Sequence, residues 1–333
     1  MKKIFLTGSE GFIGSHLAEA LVSKGHKVKA LIQYNSFSNK GWLEHIDKKI
    51  YDQIEVVYGD IRDTDFIYNQ TRKVDKIINL AALISIPYSY EAFNSYIDTN
   101  IKGTVSCLEA VKKSNNLSLI NTSTSEVYGS ALYVPINEEH PLQAQSPYSA
   151  SKIAADKMVE AFYNSFNLPV TTLRPFNTFG PRQSIRAVIP TIILQLLNSK
   201  CKSLSLGSLK PTRDLNYVSD TVSGFLLAVN SKKIFGKVIN LGSGYDISIK
   251  NLAEELMKIV GFDKPIISKH QRLRPRNSEV LRLVCDSSKA LKLLNWKSKF
   301  KNKRGLIKGL EKTVNWFKEE ENQSFYKDID FMK

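Results

Sequence analysis

Cysteine is scarce: Cys107, Cys201 and Cys285 are the only three in 333 residues. They are odd in number and far apart, which argues against a disulfide framework and fits a reducing compartment. No stretch approaches the roughly 18 consecutive apolar residues of a membrane span. The apolar start after Met1 is broken at once by Gly8 and its polar neighbours, unlike a secretory leader. A cytoplasmic protein with no membrane partner is expected. The histidines, His16, His26, His45, His140 and His270, show no ligand spacing, so no metal is expected. A Gly-x-Ser-x-Gly elbow, a catalytic-cysteine pattern, internal repeats and low-complexity stretches are lacking too.

Charge of one sign is in excess, with a formal net charge of +15. The lysines are scattered, with some excess after Lys289, and no aromatic-basic stripe accompanies them. A solvated basic surface is expected rather than a nucleic-acid partner. Such a surface attracts small anions, a nucleotide diphosphate among them. The length suffices for a full core and two lobes.

Apolar runs alternate with helical periodicity through the first half of the chain. Strands are expected at 3–7, 27–33, 54–58, 74–80, 117–122 and 170–174, and helices at 11–23, 63–71, 91–113 and 148–166. That alternation implies an α/β fold, a doubly wound parallel Rossmann sheet with helices on both faces. After Pro175 the regularity fades into turns and short elements, with one more strand at 238–241 and helices at 251–260 and 306–320. A dinucleotide-binding domain is therefore placed at 1–180, with a returning segment at about 213–242. The remainder of 181–333 forms mainly a smaller α/β substrate-binding lobe. The connection 34–49 is long enough to suspect a binding role.

Gly8-Ser9-Glu10-Gly11-Phe12-Ile13-Gly14 follows the first strand and opens a helix. Glycines let the backbone approach a pyrophosphate, whose charge rests on helix N-terminal amides. Gly8, Gly11, Phe12, Ile13 and Gly14 are thus candidates for binding a dinucleotide. An acidic residue about 20 positions on would bind the adenosine ribose, but the second strand ends Gln33-Tyr34-Asn35. The amides of Gln33 and Asn35 could serve instead. No arginine stands near them for a 2′-phosphate, so NAD is favoured with NADP still open. Asp60 and Ile61, after the third strand, suit the adenine edge.

Two further groups carry chemistry. Tyr148 and Lys152 lie four apart, on one face of a helix. Forming a phenolate at neutral pH from a group of pKa near 10 costs about 4 kcal/mol, and a neighbouring ammonium recovers part of it. Glu126, in Ser123-Thr124-Ser125-Glu126, follows a strand end and is a candidate general base. Ser123 and Thr124 can bond a substrate hydroxyl or satisfy loop backbone.

Together these residues resemble the extended short-chain dehydrogenase/reductase superfamily, in its nucleotide-sugar epimerase/dehydratase branch. The glycine turn, Asp60-Ile61, Leu80-Ala81-Ala82, Asn100, Tyr148/Lys152, Arg174-Pro175-Phe176-Asn177, Gly180-Pro181-Arg182 and Arg213-Asp214 carry the likeness over nearly the whole chain. It implies bound NAD(P), touched by Leu80, Ala81, Ala82 and Asn100 besides the residues above. It also implies a sugar-nucleotide substrate and a homodimer through helices near 91–113 and 148–166. Glutamate at position 126 resembles the 4,6-dehydratases, whereas 4-epimerases usually carry a small residue there. UDP-glucuronate decarboxylases share Thr-Ser-Glu, and Ser125 leaves open which acid protonates the leaving hydroxyl.

The stretches 81–89, 182–190 and 271–280 resemble most the N-acetylglucosamine-nucleotide 4,6-dehydratases of bacterial legionaminic acid pathways. The likeness implies transient oxidation at sugar carbon 4 by Tyr148, Lys152 and NAD, proton removal from carbon 5 by Glu126, and loss of water from carbon 6. Thr124 would steady the carbon 4 oxygen. Ser85, Ser123, Ser125, Asn177, Val188, Arg213, Arg274 and Glu279 would surround the GDP- or UDP-sugar.

Overall fold

The computed structural model of the protein describes residues 1–326; the last seven residues of the expected second lobe lie outside them. The first half supplies strands β1 (Lys3–Thr7), β2 (Lys27–Gln33), β3 (Ile54–Gly59), β4 (Lys76–Asn79), β5 (Ser118–Thr122) and β6 (Val170–Pro175). The second half adds β7 (Asn177–Phe179), β8 (Leu204–Leu206), β9 (Thr212–Tyr217), β10 (Val238–Leu241), β11 (Asp246–Ser248), β12 (Ile266–Ser268) and β13 (Arg282–Leu283). Seven of them make one parallel sheet in the order β10-β6-β5-β4-β1-β2-β3. Strand order reverses between β1 and β4, which opens a crevice at their carboxyl ends. The doubly wound Rossmann sheet expected from the sequence is the architecture found.

Alternation along each strand sends its side chains to opposite faces. Ile4 and Leu6 join Ile78 and Ile120 in one core, while Phe5 joins Ile77 and Leu119 in the other. Helices cover both. The first, Phe12–Ser23, buries Leu17, Ala18, Leu21 and Val22 along one stripe. The helix Pro147–Phe166 starts at a capping box formed by Ser146 and Ser149, with Pro147 in its first turn, and stops at Asn167 in the left-handed conformation. Its buried stripe is unusual for a core helix. Tyr148, Ser149, Ser151, Lys152 and Asp156 lie on it beside Ala155 and Val159, so the fold buries polar groups where an apolar face would be cheaper.

The helix expected at 91–113 runs from Phe93 to Lys112, and Ile97–Lys102 winds as a π-helix within it. The wider turn carries Asn100, which is buried. Its Oδ1 accepts from the Leu83 amide at 2.9 Å, and its Nδ2 donates to the Leu83 carbonyl and to Ser151 Oγ. Such turns concentrate at functional sites.

Beyond β6 the chain builds a smaller sheet in which β9 pairs with β7, β11 and β13. Of the segment 213–242, only β10 enters the large sheet. The helix Val218–Asn230 packs against the helix Phe12–Ser23, and β9 stays in the smaller sheet. The connection 34–49 is structured: Trp42 meets Trp316 at 5.6 Å and Phe325 at 5.4 Å between ring centroids. Among the described residues no helix is long and apolar enough to cross a membrane.

Candidate active site

The glycine turn between β1 and the first helix is shaped by contacts that a side chain would destroy. Gly8 has φ +63°, and a Cβ there would stand 2.8 Å from the Ala81 amide nitrogen. A Cβ on Gly14 would stand 2.0 Å from the Gly8 carbonyl oxygen. Gly11 is the helix N-cap and offers no side-chain cap, which leaves the first-turn amides, those of Phe12 and Ile13 included, for a ligand. Thr7 latches the opposite wall, its Oγ1 accepting from the Leu80 and Ala81 amides at 3.1 and 3.0 Å and donating to Asn79 at 2.7 Å. Such a cradle fits a dinucleotide pyrophosphate.

At the far end of the crevice, the expected adenosine contacts are differently employed. The Asn35 amide is consumed by its own loop, donating to the Gln33 and Asn39 carbonyls and accepting from the Asn39 amide. The Asp60 carboxylate is gripped by Arg62, with Nε at 2.9 and 3.0 Å from its two oxygens. Ile61 packs under the helix at Gly103, where a Cβ would come within 2.9 Å of it. Glu10, which the sequence presents merely as a spacer in the glycine turn, reaches this region. Its Oε1 accepts from the Gln33 amide at 3.0 Å, while its Oε2 is buried without a hydrogen-bond partner among the described residues.

The acid/base groups gather past β5. Thr124 caps the short 3₁₀ turn Ser125–Tyr128, accepting from the Glu126 amide at 3.2 Å, and it hydrogen-bonds the Tyr148 phenol. Burial drives the Tyr148 phenol well above its ordinary pKa, the Thr124 bond opposes that rise, and the Glu126 charge adds to it. Lys152 donates to the Thr122 carbonyl at 2.6 Å. Burial lowers its ammonium to about 8, with the charge of Asp156 opposing. Tyr96 stands edge-on to Tyr148 at 6.2 Å between centroids.

Glu126 is nearly sealed from water and faces two arginines: Oε1 lies 4.0 Å from Arg213 Nε and Oε2 lies 3.7 Å from Arg274 Nη1. Arg213 also reaches Glu279 at 3.5 Å, and Arg274 stands 4.0 Å from the same carboxylate. The four groups form an alternating ring of two anions and two cations. Ser125 Oγ, Asn177 Oδ1 and Arg274 Nη1 are buried with no hydrogen-bond partner among the described residues. Polar atoms left in that condition suit a polar ligand.

Not every expected substrate contact is free. The Ser123 hydroxyl donates to Asp156 at 2.7 Å, so it braces the long helix instead of facing a substrate hydroxyl. Ser85 stands at the N-cap position of the short helix Ile86–Ser89 without a side-chain cap bond, and its backbone carbonyl accepts the Tyr96 hydroxyl. Val188 opens the helix Val188–Leu197 and is half-buried. Two buried carboxylates, neither expected as a site residue, lie behind the site. Asp156 is bound by Arg174 through Nε and Nη2, each at 2.9 Å, and Arg174 continues through the Tyr128 hydroxyl to Asn240 on β10. Asp214, next to Arg213, accepts from the Ser243, Gly244 and Cys285 amides and from the Ser243 hydroxyl.

Comparison with known proteins places this geometry in context. The profile of the family described as GDP-mannose 4,6 dehydratase matches residues 5–308. A dTDP-D-glucose 4,6-dehydratase of Dictyostelium discoideum is 35% identical over 274 residues, which span 78% of this chain and 62% of that protein. A dTDP-glucose 4,6-dehydratase from Bacillus anthracis, solved with NAD, superposes with a TM-score of 0.83 at 29% identity, covering 96% of this chain and 98% of that one. A UDP-glucuronic acid 4-epimerase from Bacillus cereus, solved with UDP-glucuronic acid and NAD, gives 0.83 at 29% identity, covering 95% and 99%.

Proposed function

Because the chain belongs to the GDP-mannose 4,6-dehydratase family, we propose that it is an NAD-dependent nucleotide-sugar 4,6-dehydratase. The observation that carries the proposal is the buried carboxylate of Glu126, set beside the Thr124–Tyr148 pair. An epimerase needs no such base, because it only removes and returns hydrogen at carbon 4. When bound, NAD would supply the hydride acceptor for sugar carbon 4 and the hydride donor for carbon 6.

The protein's own groups handle the protons. Tyr148 takes the proton of the carbon 4 hydroxyl, with Thr124 bonded to its phenol oxygen and Lys152 supplying positive charge one helical turn away. The carbon 4 ketone acidifies carbon 5, and Glu126 removes that hydrogen as a proton. Water departs from carbon 6, taking up a proton that Glu126, now protonated, is placed to return. Reprotonation of carbon 5 from solvent, balanced by release of the proton that Tyr148 took from the carbon 4 hydroxyl, completes a 4-keto-6-deoxy sugar with no net oxidation. Arg213 and Arg274 supply guanidiniums suited to a diphosphate, and Asn177 and Ser125 offer unpartnered polar atoms beside them.

The substrate is an N-acetylglucosamine nucleotide of GDP or UDP, supported by the stretches 81–89, 182–190 and 271–280. A homodimer through the helices ending at Lys112 and Phe166 belongs to the same proposal. Exposed Phe93, Ile97 and Phe166 supply apolar surface for it, and sedimentation checks it.

Incubation of the pure protein with GDP- and UDP-N-acetylglucosamine is the test. Loss of the mass of one water supports dehydration. An unchanged mass with a new stereoisomer indicates 4-epimerisation and overturns the proposal, as does no conversion at all. Loss of carbon dioxide from a UDP-glucuronate control, with no dehydration elsewhere, would place the chain with the decarboxylases, which share Thr124-Ser125-Glu126.

A further inference from the structure

We propose that Glu10 reads the adenosine ribose of the dinucleotide and makes the site select NAD over NADP. The inference rests on the cofactor half of the function proposed above. In folds of this kind, an acidic residue at the end of the second strand bonds the ribose 2′-hydroxyl. Here β2 ends at Gln33, and Tyr34 and Asn35 follow with no acid. The missing carboxylate is delivered to the same place from another element.

Glu10 leaves the glycine turn just before Gly11, and its Oε1 meets the Gln33 amide at 3.0 Å. The other oxygen, Oε2, is buried with no hydrogen-bond partner among the described residues. A buried carboxylate oxygen without a donor is costly, and burial correspondingly raises this carboxyl above its ordinary pKa. Ribose hydroxyls are donors of the right kind to satisfy it.

The main chain of the residue is held in place. Its carbonyl accepts from the Trp42 amide at 3.0 Å, and Gly41 passes so close that a Cβ there would lie 2.6 Å from that carbonyl. The 34–49 connection thus clamps the Glu10 main chain, from which the carboxylate reaches Gln33. A 2′-phosphate brought to Oε2 would meet like charge. Of the cations on neighbouring segments, Arg62 is engaged by Asp60 and Lys40 lies over the Tyr51 ring at 5.2 Å.

The test measures dinucleotide binding, independently of turnover. Nucleotide-free wild type, Glu10→Gln and Glu10→Asp are titrated calorimetrically with NAD⁺ and with NADP⁺, and their thermal melting is recorded. Wild type should bind NAD⁺ at least about 100-fold more tightly than NADP⁺, since juxtaposed like charges cost several kcal/mol. Glutamine keeps an acceptor for the Gln33 amide, so Glu10→Gln should melt near wild type while the NAD⁺/NADP⁺ preference falls about tenfold or more. Glu10→Asp retains the charge and should still reject NADP⁺. An unchanged preference in Glu10→Gln, or a wild type that binds both alike, overturns the role of Glu10 and leaves the cofactor assignment standing. A wild type that binds neither dinucleotide overturns both.

Discussion

Glu126 and Arg213 face each other at 4.0 Å, each with its side chain almost wholly removed from solvent. Replacing the carboxylate therefore has two separable effects, on chemistry and on charge balance. Glu126→Gln should retain dinucleotide but lower kcat by about 10²–10⁴-fold, the usual worth of a general acid/base group. Solvent deuterium should no longer enter carbon 5 of the sugar. Because Arg213 and Arg274 then share only Glu279, the melting temperature should also drop. Unaltered turnover in this variant would remove Glu126 from the mechanism.

Lys152 gives a pH signature. Burial lowers its ammonium to about 8, so the cation that favours the Tyr148 phenolate is present below that pH and lost above it. The profile of kcat/KM should bend downward on the alkaline side near pH 8. In Lys152→Arg the guanidinium stays charged, and that bend should vanish even where absolute rates fall. A wild-type profile with no alkaline limb contradicts the role.

Asp214 is expected to matter for stability. Both its oxygens accept two hydrogen bonds each, from the Ser243 amide and hydroxyl and from the Gly244 and Cys285 amides. In Asp214→Asn the NH₂ group must face at least one amide donor whichever way it is turned, at a cost of roughly 2–4 kcal/mol, read as a lower urea midpoint. The pH trend is also defined. Burial raises the Asp214 carboxyl to about 6, so the folded state keeps this proton to higher pH than the unfolded chain does. From this group alone, stability falls as pH rises through that window. The asparagine variant should lose that slope.

Gly14→Ala addresses the cradle. Its Cβ would sit 2.0 Å from the Gly8 carbonyl, a backbone atom that no rotamer change can clear. The variant should purify without dinucleotide and melt lower than wild type. Retention of NAD would show that the turn can widen.

How much of this was legible in the sequence follows from the range of each contact. The large sheet was readable because every one of its strands is a local apolar run. The glycine turn and the Tyr148/Lys152 pair were readable because their spacing encodes a turn and a helix face. The strands of the smaller sheet, such as β13 with two residues and β7 with three, are too short for any period to register. Long-range contacts were invisible for another reason. Ser123 reads as a ligand for substrate until Asp156, a full 33 residues later, is seen to take its hydroxyl. Glu10 reads as a spacer until the fold lays it against Gln33. The π turn around Asn100 leaves no trace either, since one widened turn inside a longer helix has no period of its own.

The return of β10 to the sheet has a consequence for dividing the protein. The chain leaves the sheet at Pro175 and re-enters at Val238, so the edge strand beside β6 is contributed from beyond β7 and β9, two of the four strands of the smaller sheet. A fragment stopping near residue 180 would keep the glycine turn, Tyr148 and Lys152, yet expose all six otherwise buried residues of β6 as an open border. Borders of that kind recruit other strands. Such a truncation should aggregate rather than persist as a free-standing half.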